Sequence, residues 1–342
     1  MLFHPALTRP CAALLLVLAL ALPAHAQGKL VTSLDPRHIV LNDISIRQLA
    51  MAYGFVLSQA WSLDAIGKTY PDMAYEANAL RNAFEVRYGF PTQRLAWALH
   101  GALRPGALQQ LVSQLERQFS DPLGQQSPAD LRKFLDEVRA RIGGNMNPEI
   151  LRTLLWVQYA ERPDLEMATW SGEFSSRGHP KSLGLSVSLS FPLSWMQDEG
   201  NRPHIVQMWT SQGGTGDMSI LLQVRTFNER VTADDIDAFV AAGDWTDMLP
   251  DGFRLREGKA VTLDRQPGLY MVSEGESAVL DQKIANRVAG YMLFLEGHIV
   301  MLQCMISRDA RDEFSFHEAR FERLRELCRR VALSMSFPDT WR

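Results

Sequence analysis

Near Arg162 the spacing of apolar residues changes from one period to another. From Asn42 onward they recur every three or four positions, the interval that lines one face of a helix. Beyond Arg162, Leu185, Val187, Leu189 and Phe191 alternate with Ser186, Ser188 and Ser190, the period of a strand with one buried face. A pattern written for a helix does not settle as a strand, so the two halves must fold by different rules. At roughly 100–200 residues per domain, 342 residues suit two domains. The expected division is a helical domain over 27–162, a linker rich in Ser, Gly and Pro over 163–182, and a second domain over 183–342.

In the first half, Asp43 is expected to cap a helix carrying Ile46, Leu49, Tyr53, Val56 and Trp61, with Gly67 and Pro71 closing it. Further helices are expected over 72–88, from Pro91 through Leu103, and over 106–119. Ser127-Pro128 and Asn147-Pro148 place a capping side chain before a proline in the first turn, where its missing N–H costs nothing. They open helices near 128–142 and 148–160. The aromatics of this half are either core or the lining of a groove for a peptide or helix.

In the second half, strands are expected over 204–209, 220–227, 260–263 and 268–273, and a hairpin pairs 290–295 with 299–306 around Glu296-Gly297. Thr232 caps a helix over 233–242. A terminal helix over 317–335 turns Phe321, Leu324, Cys328, Val331 and Met335 inward. Hairpins with helices inserted separately predict an α+β fold: an all-α region, then an antiparallel sheet covered by helices.

The N-terminus reads as an address. Arg9 precedes an apolar run over 11–22, and Ala24-His25-Ala26 supplies small residues before Gln27, the layout of a secretory signal peptide over 1–26. About a dozen apolar residues are too few to span hydrocarbon, which needs about 20. The mature chain is expected to carry no membrane span and to be periplasmic or secreted. In that oxidising setting Cys304 and Cys328 can pair where the terminal helix covers the sheet, or remain two small buried groups. With 35 Lys and Arg against 39 Asp and Glu, a net charge of −4 lacks the basic excess of a dedicated nucleic-acid binder.

Phe191-Pro192-Leu193-Ser194-Trp195, and a penultimate hairpin followed by a terminal helix and Ser336-Phe337, resemble PsbP-like domains, the fold of the photosystem II extrinsic subunit. Gly178-His179-Pro180-Lys181 and the segment 199–207 resemble phrases in exported bacterial proteins that join such a domain to an N-terminal helical region. The resemblance covers about 175–337. It implies an antiparallel sheet between helices and a role in binding or assembly instead of catalysis.

Catalytic patterns break where they begin. Gly275-Glu276-Ser277 continues to Val279 where a nucleophile elbow needs glycine, and His317-Glu318 lacks the second histidine of a zinc-protease helix. Gly213-Gly214-Thr215-Gly216 lacks the Gly-Lys-Ser/Thr end of a phosphate loop and reads as a connection between strands. The sequence calls for no cofactor and no metal. Recognition is expected at Glu199, Arg202 and His204, with His179 across the first strand; Arg202 presents a planar fork suited to carboxylate or phosphate. The expected function is a non-catalytic exported protein that binds a protein partner or assists assembly in the envelope. The alternatives are an exported hydrolase or metal-dependent enzyme assembled from His179, His204 and Glu199, and a small-ligand carrier with a deep apolar pocket.

Overall fold

The structure, a computed structural model, describes residues 36–341 apart from 120–122, 124–125, 244, 246–247 and 280–281. The signal peptide expected over 1–26 lies outside the described residues. The chain divides into two compact units, Met1–Ala160 and Glu161–Arg342.

The first unit is helical: α1 (Asp43–Thr69), α2 (Pro71–Arg87), α3 (Pro91–Ala102), α4 (Ala107–Gln118), α5 (Pro128–Ile142) and α6 (Pro148–Gln158). Asn42, not Asp43, caps α1. Its extended backbone brings Oδ1 to the Ile44 and Ser45 amides, 3.0 Å from each, and Ser45 Oγ accepts the Asn42 amide at 2.8 Å. Asp43 is thereby left in the first turn, where its charge meets the positive end of the helix. Ser127 and Asn147 cap α5 and α6 ahead of their prolines. Leu63 and Ile66 of α1 pack with Met73, Ala77 and Leu80 of α2 and with Leu131, Leu135 and Val138 of α5. Buried Tyr88 donates its hydroxyl to the Arg141 carbonyl at 2.6 Å, fixing the end of α5.

The second unit is α+β. It begins with α7 (Pro163–Glu166), and β1 (Ser171–Ser175) pairs antiparallel with β2 (Ser188–Pro192). Then come β3 (Met196–Asp198), β4 (Ile205–Thr210), β5 (Met218–Thr226), α8 (Ala233–Ala242), β6 (Phe253–Leu263), β7 (Gln266–Val279), β8 (Gln282–Leu295), β9 (His298–Asp309) and α9 (Phe314–Leu333). Seven strands form one antiparallel sheet in the order β3-β4-β5-β9-β8-β7-β6. Residues 163–182 are built into this unit: α7, β1 and a turn over Pro180–Ser182 belong to its fold.

Alternation along the strands assigns the two faces. Tyr270 and Val272 of β7 belong to the main core with Phe321, Leu324, Leu327, Cys328 and Val331 of α9. Leu269 and Met271, pointing the other way, pack with Ile236 of α8 and with Trp245. The sheet is therefore covered by α9 on one face and, over β6 and β7, by α8 on the other. Trp209 of β4 joins the hairpin to this core, edge-on to Phe174 at 5.3 Å and tilted on Phe191 at 5.4 Å. The Phe191 ring lies so close to Gly172 that a β-carbon there would stand 2.4 Å from it, so β1 needs glycine at that position. Cys304 of β9 and Cys328 of α9 form a disulfide, both fully buried. For a separation of 24 residues the chain-entropy account assigns it about 3.5 kcal/mol.

Candidate functional site

Strand register builds a groove between α9 and the β6–β8 side of the sheet. Lys259 lies directly opposite Tyr270, and Tyr270 opposite Tyr291, so the three side chains form one row across β6, β7 and β8. The tyrosine rings stand 4.9 Å apart, and Lys259 Nζ lies 4.9 Å from the Tyr270 ring centre. On α9, Glu322, Arg325, Glu326, Arg329 and Leu333 recur at helical spacing and face this row. With Val261, Thr262, Leu263 and Arg323 they enclose about 640 Å³.

The charges in the groove differ in how firmly they are held. Arg325 donates through Nε to the Tyr270 hydroxyl at 3.1 Å, through NH1 to Glu322 at 2.9 Å and through NH2 to Glu257 at 2.6 Å. Glu257 also accepts from Lys259 at 2.8 Å, a bond that holds its carboxyl below the usual range, with Arg325 contributing. Among the described residues Arg329 bonds Glu326, one turn back on the same helix, at 2.9 and 3.0 Å. Burial pushes the Tyr291 hydroxyl up to about 12 and raises Tyr270 as well, so both remain hydrogen-bond donors at neutral pH. The groove thus sets two largely buried tyrosines, Tyr270 at 5% and Tyr291 at 8% exposure, beside a mosaic of fixed and exchangeable ion pairs.

Of the residues expected to form the recognition site, the structure brings His179 and Glu199 together and places Arg202 near His204. Glu199 accepts from Lys181 at 3.0 Å and lies 3.9 Å from His179 Nε2. His179 itself caps the turn over Pro180–Ser182, accepting the Lys181 amide at its Nδ1. His204 instead lies among like charges: burial first, then Arg225 and Arg202, lower its pKa. Among the described residues no three His, Cys, Asp or Glu side chains converge as a metal site would require, and no helix is long and apolar enough to cross a membrane.

Two further polar clusters are structural. Asp217, at the end of the glycine-rich connection between β4 and β5, accepts from Arg320 of α9 at 2.6 Å and from Arg308 of β9 at 2.8 Å. Beside it His317 is 4% exposed and its Nε2 has no hydrogen-bond partner among the described residues. Burial, aided by Arg287 and Arg308, lowers that imidazole to about 4. The second cluster is inside the Pro-x-x-Trp segment: Glu166 of α7 accepts the Ser194 amide at 2.6 Å and the Ser194 hydroxyl at 2.7 Å. Trp195 alongside is a core residue.

Glu166 is 1% exposed, and burial raises its carboxyl to about 7 against the opposing bonds from Ser194. A carboxyl raised in the folded state stabilises the fold below its unfolded pKa and loses that contribution as pH climbs through its folded value. Between pH 4.5 and about 7 the loss should amount to about 2–3 kcal/mol. His317 acts oppositely, its neutral form stabilising above pH 6.5 with the benefit lost toward about 4. Urea unfolding of the wild type against Glu166→Gln, compared at about pH 5 and pH 8, isolates the Glu166 contribution. The wild-type advantage should be larger at the acid pH, and an unchanged difference contradicts the assignment.

The groove was not visible in the sequence because Lys259, Tyr270 and Tyr291 meet only through register, and the mixed charges over 308–330 read as a solvated helix face. No family model and no curated protein matches the chain. Among solved structures it is similar to the solution structure of cyanobacterial PsbP (CyanoP) from Synechocystis sp. PCC 6803, with 12% identity over 49% of this chain and 92% of that one and a TM-score of 0.33. It is also similar to PA94 from Pseudomonas aeruginosa, described as a protein of unknown function and putative regulator, with 7% identity, 42% and 81% coverage and a TM-score of 0.23.

Proposed function

We propose that this chain is an exported, non-catalytic binding protein of the cell envelope that takes a protein partner in the groove between α9 and β6–β8. The observation that carries the reading is the Lys259–Tyr270–Tyr291 row faced by Arg325. Tyrosine and arginine are the residue types that dominate binding energy at protein interfaces, because they combine large rigid area with directed polar groups. The charged residues around the row match the polar rim that such interfaces place about an aromatic centre. Export is supported by the leader pattern over 1–26.

The second unit is read as PsbP-like on its chain pattern. Phe191-Pro192-Leu193-Ser194-Trp195 leads from β2 toward β3, and the closing Ser336 pairs back with Ser188 after α9. A role in binding or assembly agrees with that pattern. The test is a crosslinking pull-down from envelope extract with the mature chain. Arg329→Glu with Leu333→Asp alters two exposed groove positions and should abolish enrichment of the partner. Arg202→Ala with His204→Ala should leave it unchanged. Loss with the second pair and retention with the first would move recognition to the connection between β3 and β4 and overturn the reading.

A further inference from the structure

We propose that the groove's partner presents an acidic peptide segment centred on apolar side chains, an inference that rests on the binding role assigned to this groove. The groove is lined by four cations, Lys259, Arg323, Arg325 and Arg329, and two carboxylates, Glu322 and Glu326. Glu257 stands behind Lys259 and Arg325, and a positive excess of one remains even when it is included. This local sign is opposite to the chain's net charge of −4. Complementarity therefore selects a negative ligand.

The hydrogen bonds separate the cations into two kinds. Arg325 is spent on holding the site together, since Tyr270, Glu322 and Glu257 take its three nitrogens. Arg329 and Lys259 are exposed, at 54% and 57%, and each is held by one nearby carboxylate of its own element. Such short-range surface pairs contribute little to stability, so an incoming carboxylate can replace Glu326 or Glu257 at small cost. Tyr291, Val261 and Leu333, the last 60% exposed at the end of α9, line the same groove as these two cations. A segment that joins carboxylates to an apolar side chain fits a groove that sets replaceable cations beside apolar surface.

The probe is a fluorescein-labelled octapeptide, Gly-Asp-Glu-Leu-Phe-Glu-Asp-Gly, and its counterpart with lysine at every acidic position. Binding to the full mature chain is followed by anisotropy. The acidic peptide should bind saturably and the basic one should not. Affinity should fall at least about tenfold between about 50 mM and about 500 mM salt, and at least about tenfold in Lys259→Glu with Arg329→Glu. The milder Lys259→Gln with Arg329→Gln should give a smaller loss, and unfolding curves check that each variant is folded. Binding of the basic peptide as tight as that of the acidic one, or acidic binding indifferent to both pairs of substitutions, overturns the inference. Should no peptide bind while the Arg329→Glu, Leu333→Asp chain still loses its partner, the acidic class fails and the groove stands. If that chain keeps its partner, the groove reading itself fails.

Discussion

Replacing Asp217 by alanine should cost about 3–5 kcal/mol of folding free energy, among the largest single-residue effects expected in this chain. Asp217 brings together three elements: it immediately precedes β5, and its carboxylate receives Arg308 from β9 and Arg320 from α9. Arg320 is 2% exposed and the Asp217 side chain 7%, so water cannot take over the lost pairing. Both guanidinium groups also lie near the Phe316 ring, at 5.1 and 5.8 Å, and His317 stands beside them. Alanine would remove the carboxylate that the two guanidinium groups share in a site with little solvent, and Arg308 would keep Asp312 at 2.7 Å. The cost comes from breaking the pair by halves, not from the pair's own net contribution. Removing Arg320 as well, as Asp217→Ala with Arg320→Met, should recover part of the loss. Urea unfolding of the single and double variants measures both, and a single-variant loss below about 1 kcal/mol would place the pair in the class of surface bridges.

Trp209→Ala is the second large effect, again about 3–5 kcal/mol for an aromatic side chain deleted from a packed core. Trp209 is fully buried and touches rings on both strands of the small hairpin, Phe174 on β1 and Phe191 on β2. Its Nε1 has no hydrogen-bond partner among the described residues, so Trp209→Phe gives up area and ring contacts but no polar bond. The phenylalanine variant should therefore lose less than alanine. Hydrogen exchange locates the damage: amides of β1 and β2 should lose protection in Trp209→Ala while those at the centre of α5 do not. Uniform loss across both units would show that Trp209 does not act through the hairpin.

Much of this architecture was legible in the sequence because it is written in short-range chemistry. The Ser127-Pro128 and Asn147-Pro148 starts, the Thr232 cap and the Glu296-Gly297 hairpin each depend on residues within a few positions, and the structure has them where the chain pattern puts them. Alternation over 185–191 announced β2, although the regular strand begins only at Ser188. The strand β1 was not legible, since Ser171, Gly172 and Glu173 carry no alternating apolar pattern. It exists because Phe174 finds Trp209 and because glycine lets Phe191 approach. Composition alone made the same stretch a linker.

The groove is the clearest instance of what one-dimensional patterns omit. Every residue in it has an ordinary local explanation: Tyr270 and Tyr291 as strand aromatics, Arg325 and Arg329 as helix charges. Only the register Lys259↔Tyr270↔Tyr291 and the crossing of α9 turn them into a site. The segment 199–204, by contrast, looked concentrated in sequence. Its Glu199 is occupied with Lys181 and His179, while His204 faces Arg225 and Arg202.

The most direct measurement is site-specific photo-crosslinking of the mature chain in envelope extract, with benzoyl-phenylalanine placed at Leu333 in the groove or at Asp237 on α8, followed by mapping of the joined peptides. One partner segment, acidic and apolar, should be joined at Leu333 and absent at Asp237. The same products at both positions, or a segment joined only at Asp237, would contradict the groove reading.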